Sequence, residues 1–326
     1  MSNKKRLGMN GREAMVLGIV AVLAVVFSLL SPQFRTYNSL VALLSYSYFI
    51  VFAAIGVCFP LITGGVDLSI GTGLVAYALI GGNLYLKTGA PVILVVLLCL
   101  VLGVIMGAVN GFLIAVMDLP PFLATLCTCM INRGIGGILS GGFGVTWPTG
   151  NNNPDAWYQK IFIYKHIGET ADTNIPVGFF VVVLVVIIMS FVLNHTKVGR
   201  YTIAIGSNKE ATKLAGVNVK FYHIMAYVIC GLFTGLSSIA YVAYFKTVYP
   251  GGGAGLELDA IGAAIVGGVS ASGGSGTVFG TFLGVYVIML LKIGLPYIGL
   301  QANWQQIIIG LVLIGTVLID VVKKKK

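Results

Sequence analysis

The chain has 326 residues, 57% of them hydrophobic and only 9% charged, with a formal net charge of +10. A soluble domain carries about 25% charged residues, so a water-facing globule is excluded. Several runs reach or approach the roughly 20 apolar residues that a bilayer span needs, and the fold class is an all-α polytopic membrane protein, one transmembrane domain over 1–326.

The charge is placed rather than spread. Lys4, Lys5, Arg6 and Arg12 precede the first apolar run, and Lys323 to Lys326 end the chain. Lys197, Arg200, Lys209, Lys213 and Lys220 lie in one central polar loop, so these three places hold 13 of the 20 basic residues. The positive-inside rule puts all three on the cytoplasmic side. That topology explains the basic excess without nucleic-acid binding. Met15–Leu30 follows a basic start, as a signal peptide would, but no small-x-small cleavage site comes after it; an uncleaved first span is expected.

In chain order, the apolar runs predict about ten spans: 15–31, 41–62, 67–86, 91–117, 121–141, 176–194, 222–245, 258–271, 276–295 and 303–322. An even number of crossings returns the C-terminus to the side of the N-terminus, in agreement with the basic residues at both ends. Both termini and 195–221 are then expected in the cytoplasm, with 142–175 outside. The outside segment holds Trp147, Pro148, Asn151 to Asn153, Trp157 and Tyr158, and mixed charges at Asp155, Lys160, Lys165, Glu169 and Asp172. It reads either as a docking surface for an extracytoplasmic partner or as a connector whose aromatic residues sit in the interfacial belt. Cys58, Cys99, Cys127, Cys129 and Cys230 all fall in apolar runs and read as small buried hydrophobes.

The two halves carry similar patterns. Gly65-Val66-Asp67-Leu68-Ser69-Ile70-Gly71 is followed by Gly103, Gly107 and Gly111. Leu258-Asp259-Ala260-Ile261-Gly262 is followed by Gly276, Gly280 and Gly284. Spacing four keeps each glycine set near one helical face, where backbones can approach closely. This is a weak internal repeat, an arrangement transporters use. Thr63-Gly64-Gly65 and Ser270 to Gly276 interrupt apolar runs and are expected as turns on the inner side, or as broken helices beside a pathway.

In the central loop, Ser207 is expected as the N-cap of a two-turn helix, Asn208 to Ala215, with Glu210 completing a capping box and Gly216 at C′. Two turns are marginal in water, so the helix needs a surface. Ala211, Leu214 and Ala215 form a small-residue face suited to a groove; packing on the chain's own membrane domain is the alternative.

Asp67, Arg133, Asp259 and Lys292 are the main charges within the spans, each costing about 2.5–3.5 kcal/mol at mid-bilayer. Asp67 and Asp259 lie at span ends and are candidates for the translocation pathway, expected to act on it indirectly by capping helices. Arg133 begins about 18 Å into its helix and either snorkels or faces a pore. Lys292, near the end of its span, is expected to snorkel. No chain of carboxylates and histidines suggests a proton relay. Ser69, Thr72, Asn83, Asn110, Thr125, Asn132 and Ser270 offer hydroxyl and amide groups for a neutral polar solute, or bonds between helices.

No Gly-x4-Gly-Lys-Ser/Thr is present, so no phosphate-cradling loop is expected. Gly71-Thr72-Gly73 imitates a dinucleotide fingerprint but follows no strand. No His-Glu-x-x-His or nucleophile elbow occurs, and neither cofactor nor metal is expected. The chain reads as a passive pore worked by another subunit.

Glu210-Ala211-x-x-x-Ala215-Gly216-Val217-Asn218 resembles the cytoplasmic coupling motif of ATP-binding-cassette importer permeases. Thr63 to Gly71, Glu257 to Gly262, Gly199-Arg200-Tyr201 and Arg133-Gly134 resemble signatures of the ribose-type branch, over residues of about 30 to 322. The resemblance implies a type II importer fold of ten helices per subunit, two permease copies (identical or paralogous), two cytoplasmic ATPase subunits, and a periplasmic or lipid-anchored sugar-binding protein, in a bacterial inner membrane. It implies that Ser207 to Gly216 is the coupling helix. Lys292 departs from the family, which usually carries a neutral residue such as asparagine there. The alternatives are an ion-gradient-driven carrier or channel for a small neutral solute, an intramembrane enzyme, and a membrane scaffold.

Overall fold

Each of the ten apolar runs forms a helix in the computed structural model, which describes residues 11–150, 153–166 and 173–324. Lys4, Lys5, Arg6, Asn151, Asn152, Glu169, Asp172, Lys325 and Lys326 lie outside the described residues. The first five long helices are α1 (Gly11–Leu30), α2 (Tyr37–Ile62), α3 (Ile70–Thr88), α4 (Val92–Ala115) and α5 (Pro121–Leu139). A short turn of helix, α6 (Trp157–Lys160), precedes α7 (Gly178–His195). Then follow α8 (Lys197–Ser207), α9 (Lys209–Leu214), α10 (Val219–Phe245), α11 (Leu256–Val266), α12 (Val278–Tyr297) and α13 (Ala302–Lys324).

Local chemistry sets several of these ends. Thr36 accepts the Ser39 amide at 3.3 Å to cap α2, and Thr277 accepts the Gly280 amide at 3.0 Å to cap α12. Pro121 occupies the first position of α5, where its missing N–H costs nothing. Seven of the helices (α1, α2, α4, α5, α7, α10 and α12) are long and apolar enough to cross a membrane by length and composition.

The 258–271 span is shorter than the sequence suggested. α11 has 11 residues, about 16 Å at 1.5 Å per residue, roughly half of a 30 Å hydrocarbon core. The reason lies in Tyr249 to Gly255, a proline- and glycine-rich stretch that dips into the fold. A Cβ on Gly253 would stand 2.4 Å from the carbonyl oxygen of Gly71, in the first turn of α3. Gly81 and Gly82, further along α3, lie against Trp147. The start of α11 is therefore about 15 Å below Trp147, measured along α3.

α2, α10 and α12 form the buried middle of the bundle. Glycine lets backbones meet there. A Cβ on Gly103 would be 2.1 Å from the Gly231 carbonyl, and one on Gly231 would be 2.0 Å from the Gly103 carbonyl, so α4 and α10 touch main chain to main chain. The second stripe does the same: Gly280 meets the Gly267 carbonyl and Gly284 meets the Ala263 carbonyl, joining α12 to α11. The first expected stripe is thus a helix contact throughout; in the second, Gly280 and Gly284 are, while Gly276 precedes α12 and lies against Val269 and Ile62.

At one end lie the described residues of the 142–175 segment. Strand β1 (Val145–Thr146) pairs antiparallel with β4 (Thr247–Val248), and β2 (Tyr164–His166) pairs with β3 (Thr173–Ile175). Trp147 and Tyr158 do not sit in an interfacial belt. Both are buried, in edge contact at 5.4 Å. Trp147 Nε1 donates to the Ala78 carbonyl at 2.9 Å, and the Tyr158 hydroxyl donates to the Pro148 carbonyl at 3.1 Å. Burial pushes the Tyr158 hydroxyl up to about 12. Among the cysteines, Cys58, Cys99 and Cys230 are buried as expected; Cys127 is exposed because it lies on the outer face of α5.

Gly231→Val is expected to drive a side chain into the α4 backbone and destabilise the fold by more than about 2 kcal/mol. Gly137→Ala, which meets nothing within 4 Å, is expected to be tolerated. Thermal unfolding of the two variants in detergent checks the difference.

Candidate functional site

The polar residues expected within the spans fall into separate groups. The first bridges the irregular stretch 63–69 to α4 and α5. Asp67 Oδ1 accepts the Ser69 amide at 2.9 Å and the Ser69 hydroxyl at 2.6 Å. Asn110 Nδ2 donates to Ser69 Oγ at 3.0 Å, and the Thr128 hydroxyl donates to Asn110 Oδ1 at 2.8 Å. Asp67, Ser69, Asn110 and Thr128 are all buried. Asp67 acts near a helix end, as expected, but its bonds go to the residue before α3 rather than to the helix amides. Thr125 also joins this region, donating to its own helix at Pro121 at 2.9 Å and lying 3.3 Å from the Val66 carbonyl. Thr128 was the member that sequence reasoning missed; it lies four residues from Ala124 on the same inward face of α5.

The second group lies between α3 and α5. The Thr72 hydroxyl donates to the Cys129 carbonyl at 3.0 Å. Thr72, Asn132 and Arg133 line a crevice with Gly136, Pro250 and Gly252 that has no room for a water molecule. Arg133 is exposed and Asn132 is buried, its Nδ2 without a partner among the described residues. Asn83 is remote from both groups and bonds the Leu139 carbonyl at the far end of α5. Ser270 is buried in the 267–277 turn, with its hydroxyl 3.3 Å from that of Ser272.

The third group corrects the sequence reading. Lys292 does not snorkel, and Asp259 does not cap. Lys292 Nζ is paired with Asp259 Oδ2, joining α12 to α11, and lies 5.8 Å from the Tyr46 ring centroid. The N-cap of α11 is Gly255, four residues before Asp259, which lies inside the helix. Opposite charges at membrane depth find each other because each alone would be far costlier.

At the other end of α7 is the 195–221 segment. It is more helical than expected. α8 occupies what read as loop, and its last residue is Ser207, whose hydroxyl donates to the Ile203 carbonyl at 2.9 Å. Ser207 is therefore not the N-cap of the next helix. Asn208 is, with its Oδ1 accepting the Ala211 amide at 2.9 Å. The capping box with Glu210 does not form, since Glu210 stands two residues after this cap rather than three. The C-terminus follows the expected pattern. Gly216 has φ +79°, its amide bonds the Lys213 carbonyl at 3.0 Å, and the Val217 amide reaches the Thr212 carbonyl at 3.4 Å. This is the Schellman arrangement.

α9 rests on the bundle through buried Thr212, whose hydroxyl donates to the Asn208 carbonyl at 2.7 Å. Glu210, Ala211, Leu214 and Ala215 face outward, with Leu214 88% exposed. Ala211 and Ala215 line a groove of about 390 Å³ with Tyr201, Ala204 and Val217. Arg200 Nη1 donates to the His195 carbonyl at 3.1 Å, closing the C-terminus of α7.

The end of α8 is also tied to both glycine-rich breaks. The Gly274 amide donates to the Ile62 carbonyl at 2.8 Å. The Ser207 hydroxyl lies 3.3 Å from the Gly274 carbonyl. A Cβ on Gly206 would stand 1.8 Å from the Ile62 oxygen and 2.5 Å from the Gly274 nitrogen. Main chain from three distant parts of the sequence meets at one point.

A bundle of apolar helices with a half-length helix that starts inside the fold, polar groups within it and an outward-facing short helix at one end defines a membrane transport protein. The family model described as branched-chain amino acid transport system / permease component matches residues 39–317. The chain is 33% identical over 305 residues to the ribose import permease protein RbsC of Escherichia coli (strain K12), covering 92% of this chain and 90% of the relative. It is 32% identical over 320 residues to the galactose/methyl galactoside import permease protein MglC of Salmonella typhimurium (strain LT2), covering 94% of each. It is 32% identical over 272 residues to the fructose import permease protein FruG of Bifidobacterium longum (strain NCC 2705), covering 83% of this chain and 79% of the relative. No solved structure matches. The chain belongs to this family of ATP-binding-cassette importer permeases and is a multi-pass membrane transport component. Membership decides for the importer over the ion-gradient-driven carrier.

Asn110→Leu removes the amide that links Ser69 to Thr128 and is expected to cost about 1–3 kcal/mol of stability. Asn83→Leu, at a partly exposed edge, is expected to cost less than about 1 kcal/mol. Denaturation midpoints in detergent compare the two.

Proposed function

We propose that this chain is the permease subunit of an importer that moves a monosaccharide, a ribose-like pentose or a hexose, across a bacterial inner membrane. The named relatives import ribose, galactose and fructose. The polar groups inside the bundle are mostly hydroxyls and amides, which suit a neutral polyol better than an ion. The chain hydrolyses no ATP itself; a cytoplasmic ATPase subunit does. A periplasmic or lipid-anchored binding protein delivers the sugar, and a second permease copy, identical or paralogous, completes the channel. Both termini and 195–221 lie in the cytoplasm, and 142–175 lies outside, within one permease domain surrounded by membrane lipid.

The observation that carries this reading is the placement of α9. It stands out from the bundle on a base, the end of α8, that is tied to both glycine-rich breaks. Glu210, Ala211, Leu214, Ala215 and Gly216 present its surface to the ATPase, while Arg200 and Ser207 hold that base on the bundle. Closure of the ATPase pair pushes α9, and the push reaches Ile62 and Gly274 together. Conformations then exchange between outward- and inward-facing states, with the pathway along α3 and α5 walled by Thr72, Thr125, Asn132 and Arg133. Asp67, Ser69 and Asn110 hold the start of α3 in place behind it, and Asp259 and Ser270 belong to the second half's share of the wall.

Glu210→Lys is expected to abolish uptake while leaving the permease inserted and folded. Radiolabelled sugar uptake by cells, with the permease quantified in membranes, checks this. Normal uptake by that variant removes α9 from the coupling role. Leu214→Cys is expected to react with a membrane-impermeant maleimide only after cells are opened; labelling in intact cells reverses the topology.

A further inference from the structure

The Asp259–Lys292 pair opens onto a cavity on the α13 side of the bundle. About 470 Å³ lies between α11, α12 and α13, lined at one side by the pair, with Gln305, Gln306 and the backbone of Gly255 around it and Leu258 and Leu313 closing the apolar side. That volume is in the range of small-molecule sites. The position is deep. Lys292 lies against Tyr46, nine residues into α2 from Tyr37 and sixteen from Ile62, or about 13 Å and 24 Å from its two ends.

A pair serving only to lock two helices would be closed on all sides, because an ion pair repays its desolvation only when its remaining hydrogen-bonding positions are met. This pair is not closed. The Lys292 side chain keeps 27% of its surface. Asp259 Oδ1 accepts no hydrogen bond among the described residues, and only Oδ2 is held by Lys292. One face of the cavity thus offers a free carboxylate oxygen next to an ammonium, with two primary amides across from them. A carboxylate accepts two hydrogen bonds at such a position, an ammonium only donates, and an amide does both. Adjacent hydroxyl groups, each a donor and an acceptor, complement that set. A fixed single charge does not, because the pair is neutral overall. Ionisable groups at membrane depth facing a cavity mark solute sites rather than struts.

We infer that this cavity is a solute-recognition site for a neutral polyhydroxylated molecule, with Asp259 accepting from one hydroxyl, Lys292 donating to its neighbour, and Gln305 and Gln306 orienting the rest. The inference rests on the monosaccharide reading and adds to it a second contact region, on the α11–α13 side of the bundle and away from the α3–α5 crevice. Apposed charges read the relative placement of two hydroxyls, so Lys292 is a specificity-determining residue of this chain.

The test uses the whole transporter, reconstituted with its ATPase and binding protein, carrying Gln306→Cys with Cys127→Ser to remove the exposed native thiol. Reaction with a water-soluble maleimide is followed with and without D-ribose or D-galactose at concentrations several times the half-protecting one, and sugar uptake is measured on the same vesicles. The expected result is that Cys at 306 reacts and that at least one of the two sugars slows the reaction about fivefold, as mass action predicts for a mostly filled site. Protection is expected to vanish in Lys292→Met and in the charge-neutral Asp259→Asn/Lys292→Met, the second variant leaving no orphaned charge that would unfold the protein. A residue 306 that never reacts, or reacts equally with and without both sugars in a transporter that imports them, overturns the site and leaves the monosaccharide reading standing. Protection that persists in the neutral double variant overturns the role of the pair. A transporter that imports neither sugar, nor any other monosaccharide offered, overturns the substrate reading and this inference with it.

Discussion

The carbonyl of Ile62 is the atom on which the two halves and the 195–221 segment converge. It accepts the Gly274 amide at 2.8 Å, and no side chain fits between it and Gly206. Residues 62, 206 and 274 come from the end of α2, the end of α8 and the turn before α12. At this point the segments meet main chain to main chain. They are held by main-chain contact that requires hydrogen in place of Cβ at Gly206. A displacement of α8 therefore cannot be absorbed by side-chain rearrangement at this point; it is passed on as a movement of backbone.

The interior is otherwise economical with polarity. The hydroxyls and amides around Asp67 satisfy one another from 63–69 through α4 to α5, which is what a medium without water demands of buried polar atoms. The bonds fix the irregular start of α3, and no helix ladder could do so there. The Asp259–Lys292 pair stands in the second half, at the corresponding helix start. The first half thus uses its acidic residue to close a turn, and the second uses its own to meet a cation thirty-three positions away in sequence. The halves are related in pattern and divergent in chemistry.

Periodicity and composition carried most of the fold. Every apolar run became a helix, the glycines of both stripes except Gly276 became helix contacts, and Gly216 took the left-handed conformation a helix end favours. What stayed hidden depended on partners far along the chain. Tyr249 to Gly255 falls between two predicted spans, and only its contact with Gly71 shows that it enters the bundle. Lys292 has no local signal for Asp259, nor Trp147 for the α3 backbone that buries it. The error at Ser207 is of another kind. Two adjacent residues, Ser207 and Asn208, both make good caps, and the choice fell to Asn208 because α8 continues its hydrogen bonding through Ser207.

Trp147 gives the molecule an optical handle of its own. Its indole is enclosed, hydrogen-bonded to α3 through the Ala78 carbonyl, and stacked edgewise on Tyr158, whereas Trp304 at the start of α13 is largely exposed. An enclosed indole emits at shorter wavelength than a hydrated one. Lifting the 142–175 segment from α3 would hydrate Trp147 and shift its emission to the red, so the docking state of that segment is written in the protein's intrinsic fluorescence without any attached dye.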